Sequence, residues 1–162
     1  MLLLLIRHAH AGARDPERWP DDRDRPLTDK GRKTQRDVSR FLRKRDLLPT
    51  LVLTSPWARA AETAAILVRE LALADPPVPC PALADAPDLD RLARDIGERG
   101  ADAVVALVGH SPWIEELSAL LLTGSDTGVR IDYPKSGVLG IEAEKPAAGM
   151  GELTLFLRPK MV

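Results

Sequence analysis

Arginine and histidine recur in three short stretches of this sequence, at residues 7–8, 54–63 ("TSPWARAAET") and 108–113 ("VGHSPW"). Arginine presents a planar fork of N–H donors that matches the oxygens of a phosphate group. A neutral imidazole can act as a nucleophile near neutral pH. These residue types therefore predict a site for a phosphate-like anion. The candidate residues are Arg7, His8, Arg59 and His110.

The stretches follow short apolar runs of the kind that form buried strands, at Leu2–Ile6, Leu51–Leu53 and Val104–Val108. If these strands are parallel, their carboxyl ends meet at one edge of the sheet, where ligands of such sheets bind. Prolines after the second and third runs indicate helix starts. The N–H groups of a helix start favour an anion, and Ser111 lies at one of them as a candidate substrate-binding residue.

Helical patterns alternate with these strands, and two later strands, "SGVLGIEA" and "GELTLFLRP", are expected to pair. The alternation predicts a three-layer α/β/α sandwich with a mostly parallel, mixed sheet. We expect one domain that covers residues 1–162. "DPPVPCP" at residues 75–81 is expected to be irregular or an edge segment. The expected helices cover about residues 28–46, 56–73, 87–99 and 112–122.

The composition is 44% apolar and 29% charged, with a net charge of −1. This near-neutral balance gives no argument for nucleic acid or an anionic membrane as a partner, and neither is expected. The apolar run Leu2–Ile6 is too short to span a bilayer, and no basic segment precedes it as in a signal peptide. We therefore expect a cytoplasmic protein. Cys80 is the only cysteine, so an internal disulfide is excluded.

Four motifs in this order resemble the histidine phosphatase superfamily, whose fold is phosphoglycerate mutase-like. They are "RHA" at residues 7–9, "PLTDKGRKTQ" at 26–35, "SPWARAAET" at 55–63 and "GHSPW" at 109–113. The short chain, "RHA" in place of the commoner "RHG", and "RPLTDKG" make it similar to the small SixA-like phosphohistidine phosphatases. The resemblance implies that His8 is the nucleophile and that Arg7, Arg59 and His110 form the phosphate pocket.

In the implied reaction, His8 takes the phosphoryl group and water then hydrolyses the phosphohistidine intermediate. We expect Arg7 and Arg59 to disfavour protonation of His8. The second ring nitrogen of His8 should donate to a backbone carbonyl, and His110 should donate to a phosphoryl oxygen in the transition state. No cofactor or metal is expected.

Larger, mutase-type relatives place a glutamate acid after the third strand, but the corresponding "CPALADAPD" (residues 80–88) has none. Asp85 and Asp88 are its only acids and are the possible general acids. A substrate with a P–N bond fits this departure, because its imidazole leaving group can take a proton from solvent while an alkyl ester needs a better acid. The expected substrate is a phosphohistidine on a protein. A small phosphomonoester or polyphosphate is the alternative.

Two other classes of function compete with a histidine phosphatase. A metal hydrolase could use His8, His10 and His110 as ligands, but two arginines beside them would repel a cation and no carboxylate cluster accompanies them. A phosphate-binding module without catalysis would retain the same pocket residues. The resemblance assigns no role to His10.

The first expected helix is strongly basic. Residues 30–45 carry eight Lys or Arg against one Asp. A solvated helix face is the favoured interpretation. A docking surface for an acidic partner protein is the other.

Overall fold

The computed structural model describes residues 1–162 and contains one six-stranded sheet and four α-helices. The strands are β1 (Leu2–Arg7), β2 (Leu51–Thr54), β3 (Val78–Pro79), β4 (Val104–Gly109), β5 (Val138–Glu142) and β6 (Glu152–Leu157). The helices are α1 (Asp29–Lys44), α2 (Ala58–Leu71), α3 (Leu89–Ile96) and α4 (Trp113–Thr123).

The strands lie in the order β3-β2-β4-β1-β5-β6. Strand β4 pairs in parallel with both β1 and β2, and β2 pairs in parallel with β3. Strand β5 is antiparallel to β1, and β6 is antiparallel to β5. The expected mostly parallel, mixed sheet is therefore confirmed, and the proline-rich segment contributes its edge strand β3.

Alternate residues of β1 enter two separate cores. Leu3 and Leu5 pack with residues of α3 and α4, whereas Leu4 and Ile6 pack with residues of α1 and α2. Helices thus cover both faces of the sheet, which explains why the strands read as continuous apolar runs rather than alternating ones. The predicted α/β/α layering is confirmed.

Helices α1, α2 and α3 are shorter than their sequence patterns suggested, whereas α4 lies within one residue of its expected bounds. Helix α3 begins after Asp88, whose side chain accepts a hydrogen bond from the Arg91 N–H, and it ends at Gly97, where φ is +69°. The N-cap and the left-handed glycine stop the helix at both ends. None of the four helices combines the length and apolar character needed to cross a bilayer.

The loop after β1 lies directly against the start of α1. Thr28 caps this helix by accepting from the Gly31 N–H at 3.1 Å, and its own N–H donates to the His10 carbonyl at 2.9 Å. A Cβ at Gly31 would lie 2.1 Å from that carbonyl oxygen. Only glycine allows this approach, which holds the chain just beyond His8 in place.

Candidate active site

Three parallel strand ends meet at one edge of the sheet and carry the site. Arg7 of β1 is in register with Gly109 of β4, and Thr54 of β2 is in register with Val108. The residues that follow these ends therefore become neighbours. The ring centroids of His8 and His110 are 5.1 Å apart.

His8 is held so that only one ring nitrogen remains free. Its Nδ1 lies 2.7 Å from the Ala9 carbonyl oxygen. A carbonyl can only accept, so Nδ1 carries the ring proton and Nε2 keeps its lone pair. The backbone N–H of His8 donates to the Gly109 carbonyl at 3.0 Å, which ties the residue to β4. This geometry presents Nε2 as a nucleophile.

Burial keeps His8 neutral. The side chain is 7% exposed, and desolvation lowers its pKa to about 3 even though the hydrogen bond to Ala9 favours the charged form. The charges of Arg59 and Arg7 act in the same direction but contribute less. Burial, rather than the arginines expected from the sequence, is therefore the dominant cause. At neutral pH the lone pair of Nε2 is available.

Arg59 stands in the first turn of α2 and is 5% exposed. Its Nη1 donates to the Asp22 carbonyl oxygen at 2.8 Å and lies 3.3 Å from the Asp22 carboxylate. Its guanidinium lies over the Trp57 ring, 4.6 Å from the centroid. These contacts fix the guanidinium, while its Nε is buried and has no hydrogen-bond partner.

Arg7 is held from the opposite side of the site. Its Nη1 donates to the Tyr133 carbonyl and lies 3.8 Å from Glu115 of α4. As in Arg59, its Nε is buried and has no partner. Both arginines thus present a desolvated donor that nothing in the protein satisfies.

His110 is 2% exposed, and its Nε2 lies 2.7 Å from the Ser55 hydroxyl oxygen. That oxygen also accepts from the Trp57 N–H at 3.3 Å. The hydroxyl can give its one proton to Nε2, and the neutral ring then carries its own proton on Nδ1. Burial, followed by the nearby charges of His8 and Arg59, lowers the pKa of His110 to about 3. Nδ1 is buried without a partner.

Three buried nitrogens therefore lack a hydrogen-bond partner: Nε of Arg7, Nε of Arg59 and Nδ1 of His110. Leaving such a group unsatisfied costs about 1–3 kcal/mol. A tetrahedral oxyanion bound at this place would supply the missing acceptors. The arrangement can hold such an anion against the free nitrogen of His8.

The other residues suggested by the sequence, Ser111, Asp85 and Asp88, are all exposed at the protein surface. Asp85 is exposed and shares with His110 the wall of a small cavity of about 10 Å³. Asp88 is exposed and serves as the N-cap of α3. The structure thus brings Asp85 near the site and gives Asp88 a structural role.

His10 lies apart from the pair formed by His8 and His110. Its Nδ1 is 2.9 Å from the Thr28 hydroxyl at the start of α1. The side chains of the structure form no group of three or more His, Cys, Asp or Glu residues with the geometry of a metal site. The three histidines are therefore not brought together.

Sequence reasoning missed Asp22 and Ser55. The Asp22 carboxylate accepts two hydrogen bonds from Arg25, at 2.8 and 3.2 Å, and these bonds lower its pKa, with the charge of Arg59 adding to the effect. "DDRDR" at residues 21–25 offers three acids, and nothing local distinguishes the one that faces Arg59. Ser55 carried a weak signal, as a polar residue that directly follows a buried strand.

Comparison with known proteins identifies the family. The family described as the histidine phosphatase superfamily (branch 1) matches residues 3–87, just over half of the chain. The chain belongs to this superfamily. It is accordingly a phosphatase.

Relatives cover the whole length of the chain. An uncharacterised protein of Picosynechococcus sp. is 33% identical over 165 residues, which span 99% of this chain and 98% of that protein. The fold is similar to the protein histidine phosphatase SixA in complex with tungstate, at a TM-score of 0.81, 22% identity and 99% coverage of both chains. It is also similar to a mycobacterial glucosyl-3-phosphoglycerate phosphatase, at a TM-score of 0.71, 18% identity and coverage of 95% and 97%.

Proposed function

We propose that this phosphatase hydrolyses phosphohistidine on a protein and that His8 takes the phosphoryl group in the first step. The observation that carries the proposal is the set of three buried, unpartnered nitrogens beside the free nitrogen of His8. They form a preorganised oxyanion site around a nucleophile whose lone pair is available.

In the first step, Nε2 of His8 attacks phosphorus and the P–N bond to the substrate imidazole breaks. The bonding electrons pass to the substrate nitrogen, which takes a proton from water. In the second step, water attacks the phosphorus on His8, and the N–P bond electrons return to Nε2. A water proton passes to solvent, and inorganic phosphate leaves.

The other residues stabilise charge during both transfers. Phosphoryl transfer spreads negative charge over three equatorial oxygens. Arg7 and Arg59 contribute fixed positive charge and one free Nε–H each, and His110 contributes its Nδ1–H. Because these groups are held by other residues before substrate arrives, they need little reorganisation in the transition state.

The carboxylates near the site favour an imidazole leaving group. Asp22 is held ionised by two arginines and therefore has no proton to give. Asp88 is occupied as a helix cap. Imidazole can leave with a proton from water, whereas an alkoxide needs a placed acid. The tungstate complex of the structurally similar SixA supports a phosphoryl site in this fold.

Hydrolysis of a small phosphate ester is the second candidate. Asp85 lies in the cavity wall beside His110, from which a carboxylic acid could reach a leaving group. The fold is also shared with a phosphatase whose substrate is glucosyl-3-phosphoglycerate.

The two candidates are separated by comparing kcat/KM for a phosphohistidine peptide, nitrophenyl phosphate and an alkyl phosphate. We expect the phosphohistidine peptide to be preferred over the alkyl ester, and Asp85→Asn and Asp88→Asn to change little. A wild type that hydrolyses the alkyl ester best, and loses this activity in one of the Asn variants, would contradict the proposal and identify the acid.

A further inference from the structure

A second pocket, of about 330 Å³, lies beside the reaction centre. Its wall comes from the loop after β1, from α1, from the segment before β5 and from the C-terminal residues after β6. The basic residues in this wall are His10, Lys30, Lys135, Arg158 and Lys160, and no Asp or Glu lines it.

The pocket adjoins the phosphoryl site through its own wall. Ser136 donates its N–H to the Arg7 carbonyl at 3.0 Å, so this part of the wall is tied to the end of β1. Lys135 is close enough to lower the pKa of His8 through its charge. A substrate with its phosphoryl group at His8 would therefore extend over or into this pocket.

The lysines of the pocket are uncompensated. Lys30, Lys135 and Lys160 form no ion pair, and Arg158 pairs only with the exposed Asp132 at 2.8 Å. Like charges gathered around one cavity repel each other and attract an anion. The basic side chains of this pocket come from distant parts of the chain, whereas those of an ordinary charged helix face come from one helix.

The positive charges of helix α1 are paired with acids on one side of the helix only. On the side that faces α2, Arg32 pairs with Glu62 at 2.8 Å and Arg40 pairs with Glu70 at 2.9 Å. On the pocket side, Lys30 has no acid. Part of the helix's positive charge is therefore neutralised within the fold, and part is left for a partner.

Ser136 provides a further polar group in the wall. The residue is fully buried, its hydroxyl has no hydrogen-bond partner, and its backbone is left-handed at φ +59°. A non-glycine residue in this conformation is uncommon and is held there by its surroundings. Burial, followed by the charges of Lys135 and Lys30, lowers the pKa of nearby His10, which agrees with both lysines facing this space.

We propose that this pocket binds carboxylate side chains that flank the phosphohistidine of the protein substrate. The inference rests on the proposed function and adds a substrate preference to it. Three of the four Lys and Arg cations in its wall are lysines, which attract carboxylates as mobile point charges, and only Arg158 offers the planar guanidinium fork that suits phosphate. The open pocket thus complements an acidic protein surface around the reacting histidine.

The experiment uses two phosphohistidine peptides that differ only in flanking Glu or Gln residues. For the wild type, we expect kcat/KM to be higher for the Glu peptide by roughly fivefold or more, with a difference that shrinks as salt is added. In the K30Q/K160Q variant, the Glu-to-Gln ratio should fall to about one. The K33Q/K44Q variant removes equal charge from α1 outside the pocket and should keep the wild-type ratio.

Equal kcat/KM for both peptides in the wild type, or a preference that survives in K30Q/K160Q, would overturn the pocket assignment. The same peptide pair with phosphotyrosine distinguishes this failure from failure of the proposed function. If only the phosphotyrosine peptides react, the proposed function is wrong, and their Glu-to-Gln ratio still tests the pocket. Dependence on Lys30 and Lys160 for a small bisphosphate but not for either peptide pair would assign the pocket to a small dianion instead and overturn the peptide proposal.

Discussion

At the scale of single residues, burial determines the protonation state of the two histidines of the candidate site. His8 and His110 lie against each other and near two arginines, yet desolvation is the largest cause that lowers each pKa. Each ring has one nitrogen held, by the Ala9 carbonyl or by the Ser55 hydroxyl. The two rings are therefore neutral and oriented, as the proposed roles of His8 as nucleophile and His110 as donor require.

Replacement of His8 by alanine should abolish turnover, because it removes the free Nε2 that the proposed mechanism uses as nucleophile. Tungstate or vanadate should still bind the variant, since the three unpartnered donors remain. Activity and anion binding, the latter by calorimetry, are measured on one preparation. More than a few per cent of the wild-type rate in His8→Ala would exclude this residue as the nucleophile.

Ser55 is expected to position His110 for catalysis. Ser55→Ala removes the bond to Nε2 and should lower kcat roughly tenfold with little change in KM, less than the roughly hundredfold loss expected for His110→Ala. Ser55→Thr keeps the hydroxyl and should recover much of the rate. Equal kcat in all three Ser55 proteins, or a change confined to unfolding free energy, would show that the bond has no catalytic role.

At the scale of elements, the contact between the loop after β1 and the start of α1 holds the backbone that follows His8, the proposed nucleophile. Thr28 caps the helix and binds the backbone of His10, and Gly31 leaves space for the same carbonyl. The helix start and the loop beyond His8 are consequently one structural unit.

Gly31→Ala should disrupt this unit, because its Cβ would meet the His10 carbonyl oxygen at 2.1 Å and backbone must move. We expect the unfolding free energy to fall by about 2 kcal/mol or more, together with a loss of kcat. Denaturant unfolding measures the first effect. Gly100→Ala is the matched control, since nothing lies within 4 Å of its added Cβ. If both variants were as stable as the wild type, the close approach would not matter.

At the scale of the whole molecule, the two buried histidines, His8 and His110, make the free energy of unfolding decrease as the pH falls. A histidine with a pKa of about 6.5 in the unfolded chain and about 3 in the folded protein binds more protons when unfolded throughout that interval. The stability due to neutral burial is therefore complete above about pH 6.5 and is lost as pH falls toward about 3.

The unfolding free energy should accordingly fall by about 1.4 kcal/mol per pH unit for each of the two histidines within this interval. Urea unfolding at about pH 6 and about pH 4.5 measures the slope, and His8→Asn should reduce it by the share of one histidine. The same slope in His8→Asn and the wild type would show that His8 is protonated as easily in the folded protein as in the unfolded chain.

Local patterns were sufficient to predict the layers, the strands and which residues meet at the strand ends. Leu2–Ile6, Leu51–Leu53 and Val104–Val108 are continuous apolar runs because helices cover both faces of the sheet, and this environment leaves a direct mark on composition. Parallel pairing then places the residues after each strand at one edge. The convergence of Arg7, His8, Arg59 and His110 followed from the strand patterns and the expected parallel pairing.

Only the tertiary structure decided which other side chains join them. Asp22 was one of several similar acids in a loop, and Ser55 bonds to a histidine 55 residues away. The basic pocket combines Lys30, Lys135 and Lys160, which no local pattern connects. The physical reason is that strand and helix periods report the environment of each segment, whereas the direction of a polar side chain depends on contacts between segments far apart in the chain.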